Sequence, residues 1–229
     1  MTSSRSQHVP LLIGVRALTS APQDMADTVD LAWVLDQQQR GGDPTAQWRS
    51  QAHGSLQRAY GEAAPAVAAT FVAQWVLQSA ACVALFAARD QGGLGAGRGP
   101  WIVLDAQAGY PREVLIAPES LIAPESDDAP VTADLGESYE GWANAFIATY
   151  RPGIPMSSWQ RRGLVGDVWR AATRPPDAAS VIERQSCCLM YALPGLRCCA
   201  GCPRGACGPR RTSAVGEQGP TETQSVEQS

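Results

Sequence analysis

Apolar positions along the chain recur mostly with helical spacing, and only short runs alternate as strands do. Leu31, Val34 and Leu35 predict a helix that starts near Gln23 or Asp24, reaches Arg40 and is closed by Gly41 and Gly42. Residues 45–60 are more polar, with Trp48, Leu56 and Tyr60 spaced as the packing points of a weak helix. The longest apolar run, Ala63 to Ala88, contains no charged residue and carries Pro65 at a first-turn position. Its length would suit a membrane span. Its alanine content and the mid-segment Gln74 and Gln78 favour a buried central helix instead, with Phe71, Trp75 and Gln78 on one face and Cys82 as an inert core thiol. Ser138–Arg151 should be helical with Trp142, Phe146 and Ile147 inward. Ser157–Thr173 should follow with Leu164, Val168 and Trp169 inward, stopped by Arg174-Pro-Pro, before a short helix over Asp177–Ile182.

Trp101–Asp105 and Arg112–Ile116 read as the two strands of a hairpin around a Gln-Ala-Gly-Tyr-Pro turn, and Leu11–Val15 as a short strand. The glycine-rich stretch Gln91–Pro100 follows a helix and precedes a strand, the reverse of the dinucleotide-binding context, so it is expected to be a connector. Leu-Ile-Ala-Pro-Glu-Ser occurs twice in succession over residues 115–126, which reads as a duplication that lengthens a loop; Asp127 and Asp128 read as solvated loop. The fold class expected is mainly α (α+β): a helical domain with a short β-hairpin and a C-terminal ligand loop. The organisation is a loose leader at 1–22, a mostly helical domain at 23–183, a cysteine-rich region at 184–207 and a disordered tail at 208–229.

Charge narrows the chemistry. The formal net charge is −4, and no basic recognition helix stands out, so no nucleic-acid partner is expected. All 18 basic residues are arginine, which excludes lysine Schiff bases and Walker-type phosphate lysines. Only His8 and His53 are present, neither near the cysteines in sequence, which disfavours a zinc site of paired cysteines and histidines and a Rieske-type centre. No export signal stands out and the cysteine count of seven is odd, so the expected location is cytoplasmic and reduced.

Six of the seven cysteines lie between Cys187 and Cys207. Buried structural thiols come singly, whereas clustered thiols in a reduced compartment suggest a soft metal centre. Cys187, Cys188, Cys199 and Cys202 form C-C-x10-C-x2-C. Cys199 and Cys202 have the two-residue gap of a thiolate hook, and Pro203 follows as it does at the end of many iron–sulfur runs. Cys187 and Cys188 are adjacent, so both can serve one centre only if the backbone turns sharply there. Structural zinc sites favour a C-x2-4-C hook at both ends, so the adjacent pair tilts the balance towards iron–sulfur while leaving zinc open.

The run Arg184-x-x-Cys187-Cys188-Leu189-x-Tyr191, then Pro194, then Cys199-x-x-Cys202-Pro203, resembles the C-terminal signature of the FhuF-like ferric siderophore reductases. Upstream, the likeness is one of general layout only. The resemblance implies a [2Fe–2S] cluster held by Cys187, Cys188, Cys199 and Cys202, which passes one electron to iron(III) in an imported siderophore, often a hydroxamate. It implies an external low-potential electron donor, ferredoxin-like or a flavoprotein, and peripheral association with a membrane transporter. Cys198 and Cys207 are additional to the four-thiol pattern. Arg184, Arg197 and Arg204 flank the ligands as candidate contacts for substrate or donor, with ordinary solvated arginines as the alternative. Backbone N–H groups of the Pro194–Leu196 and Cys199–Cys202 loops are the expected donors to sulfur. Two other readings stay open: an iron–sulfur redox sensor or electron carrier without a siderophore substrate, and an interaction module stapled by zinc on four cysteines.

Overall fold

The computed structural model describes residues 13–19, 28–87, 93–94, 100–107, 109–117, 120–122, 134–175, 181–199 and 201–205. Five helices dominate: α1 (Leu31–Gln39), α2 (Ala46–Tyr60), α3 (Pro65–Phe86), α4 (Asp134–Thr149) and α5 (Ser158–Ala172). Four strands form one sheet: β1 (Gly14–Ala17), β2 (Thr28–Asp30), β4 (Trp101–Leu104) and β5 (Pro111–Ile116), in the order β1-β5-β4-β2. β1 runs parallel to β5, and the other pairings are antiparallel. Two short strands, β3 (Gly93–Leu94) and β6 (Leu121–Ile122), pair separately. The chain is therefore mainly α with a small β part, as its patterning implies.

Helix α3 is the axis of the fold. It packs against α2, α4, α5 and the sheet strands β1 and β5. Val67, Val72, Val76 and Leu77 are wholly buried. An apolar helix with contacts on every side needs no polar face, which is why alanine is so frequent: small side chains let the neighbouring helices come close. This helix is long and apolar enough to cross a membrane, but its apolar side chains are spent on the core. Two buried tyrosines tie neighbouring elements together without leaving a hydroxyl unpaired. Tyr150 donates to the Ala69 carbonyl at 2.8 Å, and Tyr139 donates to the Val165 carbonyl at 3.2 Å. Cys82 is buried on α3, and burial raises its thiol above the usual range, as expected of an inert core thiol.

Several boundaries differ from the sequence expectation. Thr28–Asp30 is a strand, and α1 begins only at Leu31, with the Asp30 carboxylate accepting from Trp33 N at 3.0 Å. The pattern Val29, Leu31, Val34 suits a helix, but Asp30 caps so well that the helix starts there. The expected starting points Gln23 and Asp24 lie outside the described residues. Of the strand expected at Leu11–Val15, Leu11 and Leu12 lie outside the described residues; Gly14–Ala17 is a strand, and together with Thr28–Asp30 it extends the hairpin into a four-stranded sheet. The hairpin itself is present, with a register shift between Val103 and Leu104. The six-residue duplication is not simply loop: Leu115-Ile116 ends β5 and Leu121-Ile122 forms β6. Within the glycine-rich stretch, Gly93–Leu94 is a strand. Asp127, Asp128, His8, Cys207, the tail at 208–229 and most of the helix expected over Asp177–Ile182 lie outside the described residues.

If α3 is a core helix, Leu77→Ala removes wholly buried side-chain atoms and should destabilise the protein by about 2–5 kcal/mol, read from denaturant unfolding. The wild-type protein should stay in the aqueous phase without detergent. Retention in a detergent phase, with Leu77→Ala neutral, would make α3 a membrane element.

Candidate metal centre

The centre is built on α5. Ser157 starts that helix by accepting from Gln160 N at 3.1 Å. Two residues on one side of it then receive the segment that carries the first cysteine pair. Gly163 faces the backbone of Gln185 and Ser186, where an added Cβ would meet three atoms at 3.1 Å. One turn on, Asp167 is buried and its carboxylate accepts from Gln185 N at 2.8 Å, Ser186 N at 2.7 Å and Ser186 Oγ at 2.6 Å. Arg184 Nε stands 3.7 Å from the same carboxylate, while its Nη2 donates to Gln74 Oε1 on α3 at 3.3 Å. The residue before Cys187 is thus held by backbone and side chain at once. Three donors and two arginines, Arg170 being the second, supply what a buried carboxylate requires.

A sharp turn follows, as the adjacent cysteines require. Leu189 adopts φ 61° and ψ 11°, the left-handed region, and is the single described non-glycine residue with positive φ. Such a conformation costs roughly 1–2 kcal/mol for a residue with a Cβ. It aims two successive N–H groups at the sulfurs: Leu189 N donates to Cys187 Sγ at 3.4 Å, and the Met190 N–H donates to Cys188. Consecutive N–H groups converging in this way form a nest suited to anionic sulfur. The ten-residue connection then folds back through a 3-10 turn at Met190–Ala192. Leu189, Ala192, Leu193 and Leu196 pack against Ala63, Val67, Phe71 and Tyr60, which fixes the second cysteine pair relative to the helical body.

The second pair depends on one glycine. Gly201 sits between Cys199 and Cys202 at φ +73°, and its carbonyl accepts from Arg184 N at 2.9 Å. A Cβ there would fall 2.0 Å from the Ile182 carbonyl oxygen, an impossible overlap. The hook and the segment preceding the first pair therefore cross in direct backbone contact.

The four motif cysteines come together. Cys188 Sγ lies 3.5 Å from Cys199 Sγ, and Cys187 interacts with Cys202 through their thiols. Charge coupling between Cys187 and Cys188, and between Cys199 and Cys202, closes the ring. Cys188 is buried and the other three are half-buried. The Cys199 thiol donates to Cys188 and draws it down to about 6, aided by the Met190 N–H and the Arg184 charge against burial. That same shared proton holds Cys199 well above the usual range. Burial raises Cys187, with the Leu189 N–H acting in the opposite direction. Cys198 is not among the free thiols of the described residues.

Among the described residues no group of three or more histidine, cysteine or acidic side chains is arranged as a ready metal site. Four thiols with no histidine or carboxylate among them suit a [2Fe–2S] cluster or a zinc ion in number and chemistry.

The flanking arginines divide. Arg184 is interior and tethers α3, Asp167 and the strap, so it is placed as a structural residue rather than a surface contact. Arg197 is exposed. Arg204 is exposed, with its guanidinium 5.2 Å from the centre of the Tyr191 ring. Of the expected donors to sulfur, Leu196 N and Cys202 N go instead to the carbonyls of Leu193 and Cys199, while N–H groups of Leu189, Met190 and Cys188 reach sulfur. Sequence reasoning missed Gly163, Asp167, Gly201 and Gln160, whose Nε2 reaches the Cys187 carbonyl at 3.4 Å. Glycine inside α5 and inside the C-x2-C hook was the available signal. No protein-family model matches the chain, and comparisons with curated proteins and with solved structures return no match.

Serine at Cys187, Cys188, Cys199 or Cys202 should cause loss or a spectral shift of the bound metal group, while Cys198→Ser leaves iron content near wild type. Loss in Cys198→Ser with retention in Cys199→Ser would put the loop one residue out of register. Gly201→Ala should abolish metal retention although it changes no ligand, and Gly205→Ala, with open space around its Cβ, should affect it far less. Iron analysis and visible absorption read both comparisons.

Proposed function

We propose that the chain is a cytoplasmic [2Fe–2S] ferric siderophore reductase, with Cys187, Cys188, Cys199 and Cys202 as the ligands. The observation that supports this reading is the approach of the thiols of a C-C-x10-C-x2-C motif, Cys188 Sγ lying 3.5 Å from Cys199 Sγ, with backbone N–H groups turned onto the first two. The bound group would supply one low-potential electron; all-cysteine [2Fe–2S] centres of the ferredoxin type lie near roughly −400 mV. The chain's own residues prepare the place for it. Arg184 offsets negative charge from below, and the N–H groups of Leu189 and Met190 do so from the turn. Cys188 itself is buried, which limits its access to water.

The substrate is iron(III) held by hard oxygen ligands such as hydroxamates. One electron converts it to iron(II), which those ligands hold less well, so iron is released. The sequence contains no flavin or nicotinamide motif, so the electron comes from an external donor of ferredoxin or flavoprotein type. Peripheral association with a membrane transporter would bring the imported complex to it.

Anaerobically purified protein should be red-brown, and its reduced form should give a [2Fe–2S] electron paramagnetic resonance signal. Adding a ferric hydroxamate with an iron(II) chelator should oxidise it, with one iron(II) captured per electron. A colourless zinc protein would overturn the reading. Oxidation by other acceptors but by no ferric complex would favour an electron carrier.

A further inference from the structure

Beside the cysteines lies an open cleft of about 230 Å³. Ser157, Trp159, Gln160, Cys187, Leu189 and Arg204 line most of it, and no lining residue is acidic. Trp159 is 65% exposed, the most exposed of the large hydrophobic side chains described. It stands in the first turn of α5. Arg204 presents its guanidinium over Tyr191, and among the described residues no carboxylate forms an ion pair with it. An exposed indole and a guanidinium with no carboxylate partner among the described residues thus share one depression with Cys187. Indole and guanidinium surfaces of this kind are typical anchors for a ligand.

Size and charge select the occupant. Pockets that enclose a drug-sized ligand run to about 300–1,000 Å³, so this cleft takes one edge of a larger molecule rather than swallowing it. Edge-on docking is sufficient for electron transfer, which needs closeness and no bond to the iron. The Ser157 hydroxyl and the Arg204 guanidinium suit oxygen acceptors. Arg204, with no carboxylate partner among the described residues, disfavours a cationic ligand.

Building on the reductase reading above, we propose that this cleft is the docking site for the iron(III) complex, with Trp159 against its apolar backbone and Arg204 facing its oxygen-rich edge. The site thereby selects neutral or anionic complexes over cationic ones. In the step this site would serve, a group held by the four cysteines would supply one electron to iron(III), giving iron(II), and the external one-electron donor would replace that electron.

Gallium(III) complexes test docking without electron transfer, because gallium(III) is not reduced. The full-length holoprotein is titrated by calorimetry with the gallium complex of a neutral cyclic trihydroxamate and with that of a linear trihydroxamate carrying a free, positively charged amine. The wild type should bind the neutral complex more tightly. Trp159→Ala should weaken it by roughly tenfold, within what an aromatic contact contributes, with Trp159→Phe restoring most of the loss. Arg204→Glu should reverse the preference between the two complexes. The visible spectrum should stay unchanged in all three, which keeps a binding defect apart from loss of the centre. The same variants are then assayed with the iron(III) complexes, where Trp159→Ala should raise KM more than it lowers kcat. Unchanged gallium binding in Trp159→Ala and Arg204→Glu, with the wild type still oxidised by the ferric complex, overturns the docking site and leaves the reductase reading intact. Slower reduction by the donor with unchanged gallium binding also overturns it and assigns the face to the donor protein. Failure of every ferric complex to oxidise the wild type removes the reductase reading itself.

Discussion

The Asp167 carboxylate is the interaction on which the centre depends. It lies on the most buried side of α5 and takes the N–H groups of Gln185 and Ser186 together with the Ser186 hydroxyl. These groups occupy the two positions before Cys187, so the start of the ligand segment is fixed to a helix rather than to a loop. Gly163 permits the close approach that makes these bonds short, and Arg184 links the same carboxylate to Gln74 on α3. A carboxylate desolvated to this degree is stable only with all its partners present, and removing one strands the charge. The strap therefore cannot leave α5 without exposing an unpaired buried charge, and that resists opening of the site.

The second cysteine pair is reached through different physics. No carboxylate holds the hook among the described residues. Its position follows from backbone crossing at Gly201 and from the apolar packing of Leu193 and Leu196 against α2 and α3. Polar anchoring sets one end of the ten-residue connection and hydrophobic burial sets the other. The two are coupled by the bond from Arg184 N to the Gly201 carbonyl. A lesion at either end should thus be felt at both pairs, because they share one rigid frame.

The helices were legible because their apolar residues repeat at helical spacing and their ends carry plain signals. Pro65 begins α3, Ser157 caps α5, and Gly41 follows α1. The cysteine motif was legible because adjacent cysteines are chemically unusual. What could not be read concerns contacts between distant segments. Nothing local distinguishes Asp167 from a solvated helix carboxylate, since its partners lie at positions 184–186. Gly163 and Gly166 look equally out of place in a helix, yet only the neighbours of Gly163 approach to 3.1 Å. The parallel pairing of β1 with β5 joins residues almost a hundred positions apart, beyond the reach of any local pattern. Asp30 illustrates a different failure: a cap overrode an apolar period that ran on past it.

The adjacent cysteine pair, the least conventional feature of the motif, has a structural consequence. With a C-x2-C hook, the residues between the cysteines donate their own N–H groups to sulfur or spend them on a turn. At Cys187-Cys188 no residue lies between, so the donors must come from the chain just after the pair. An extended continuation would point Leu189 N and Met190 N in opposite directions. The left-handed conformation of Leu189 turns both towards the thiols, at a cost in strain that a glycine would avoid. A glycine, however, would have no side chain to join Leu193 and Leu196 against α2 and α3. Leucine at this position thus trades backbone strain for the packing that holds the turn shut, and the turn is what allows two neighbouring side chains to serve one centre.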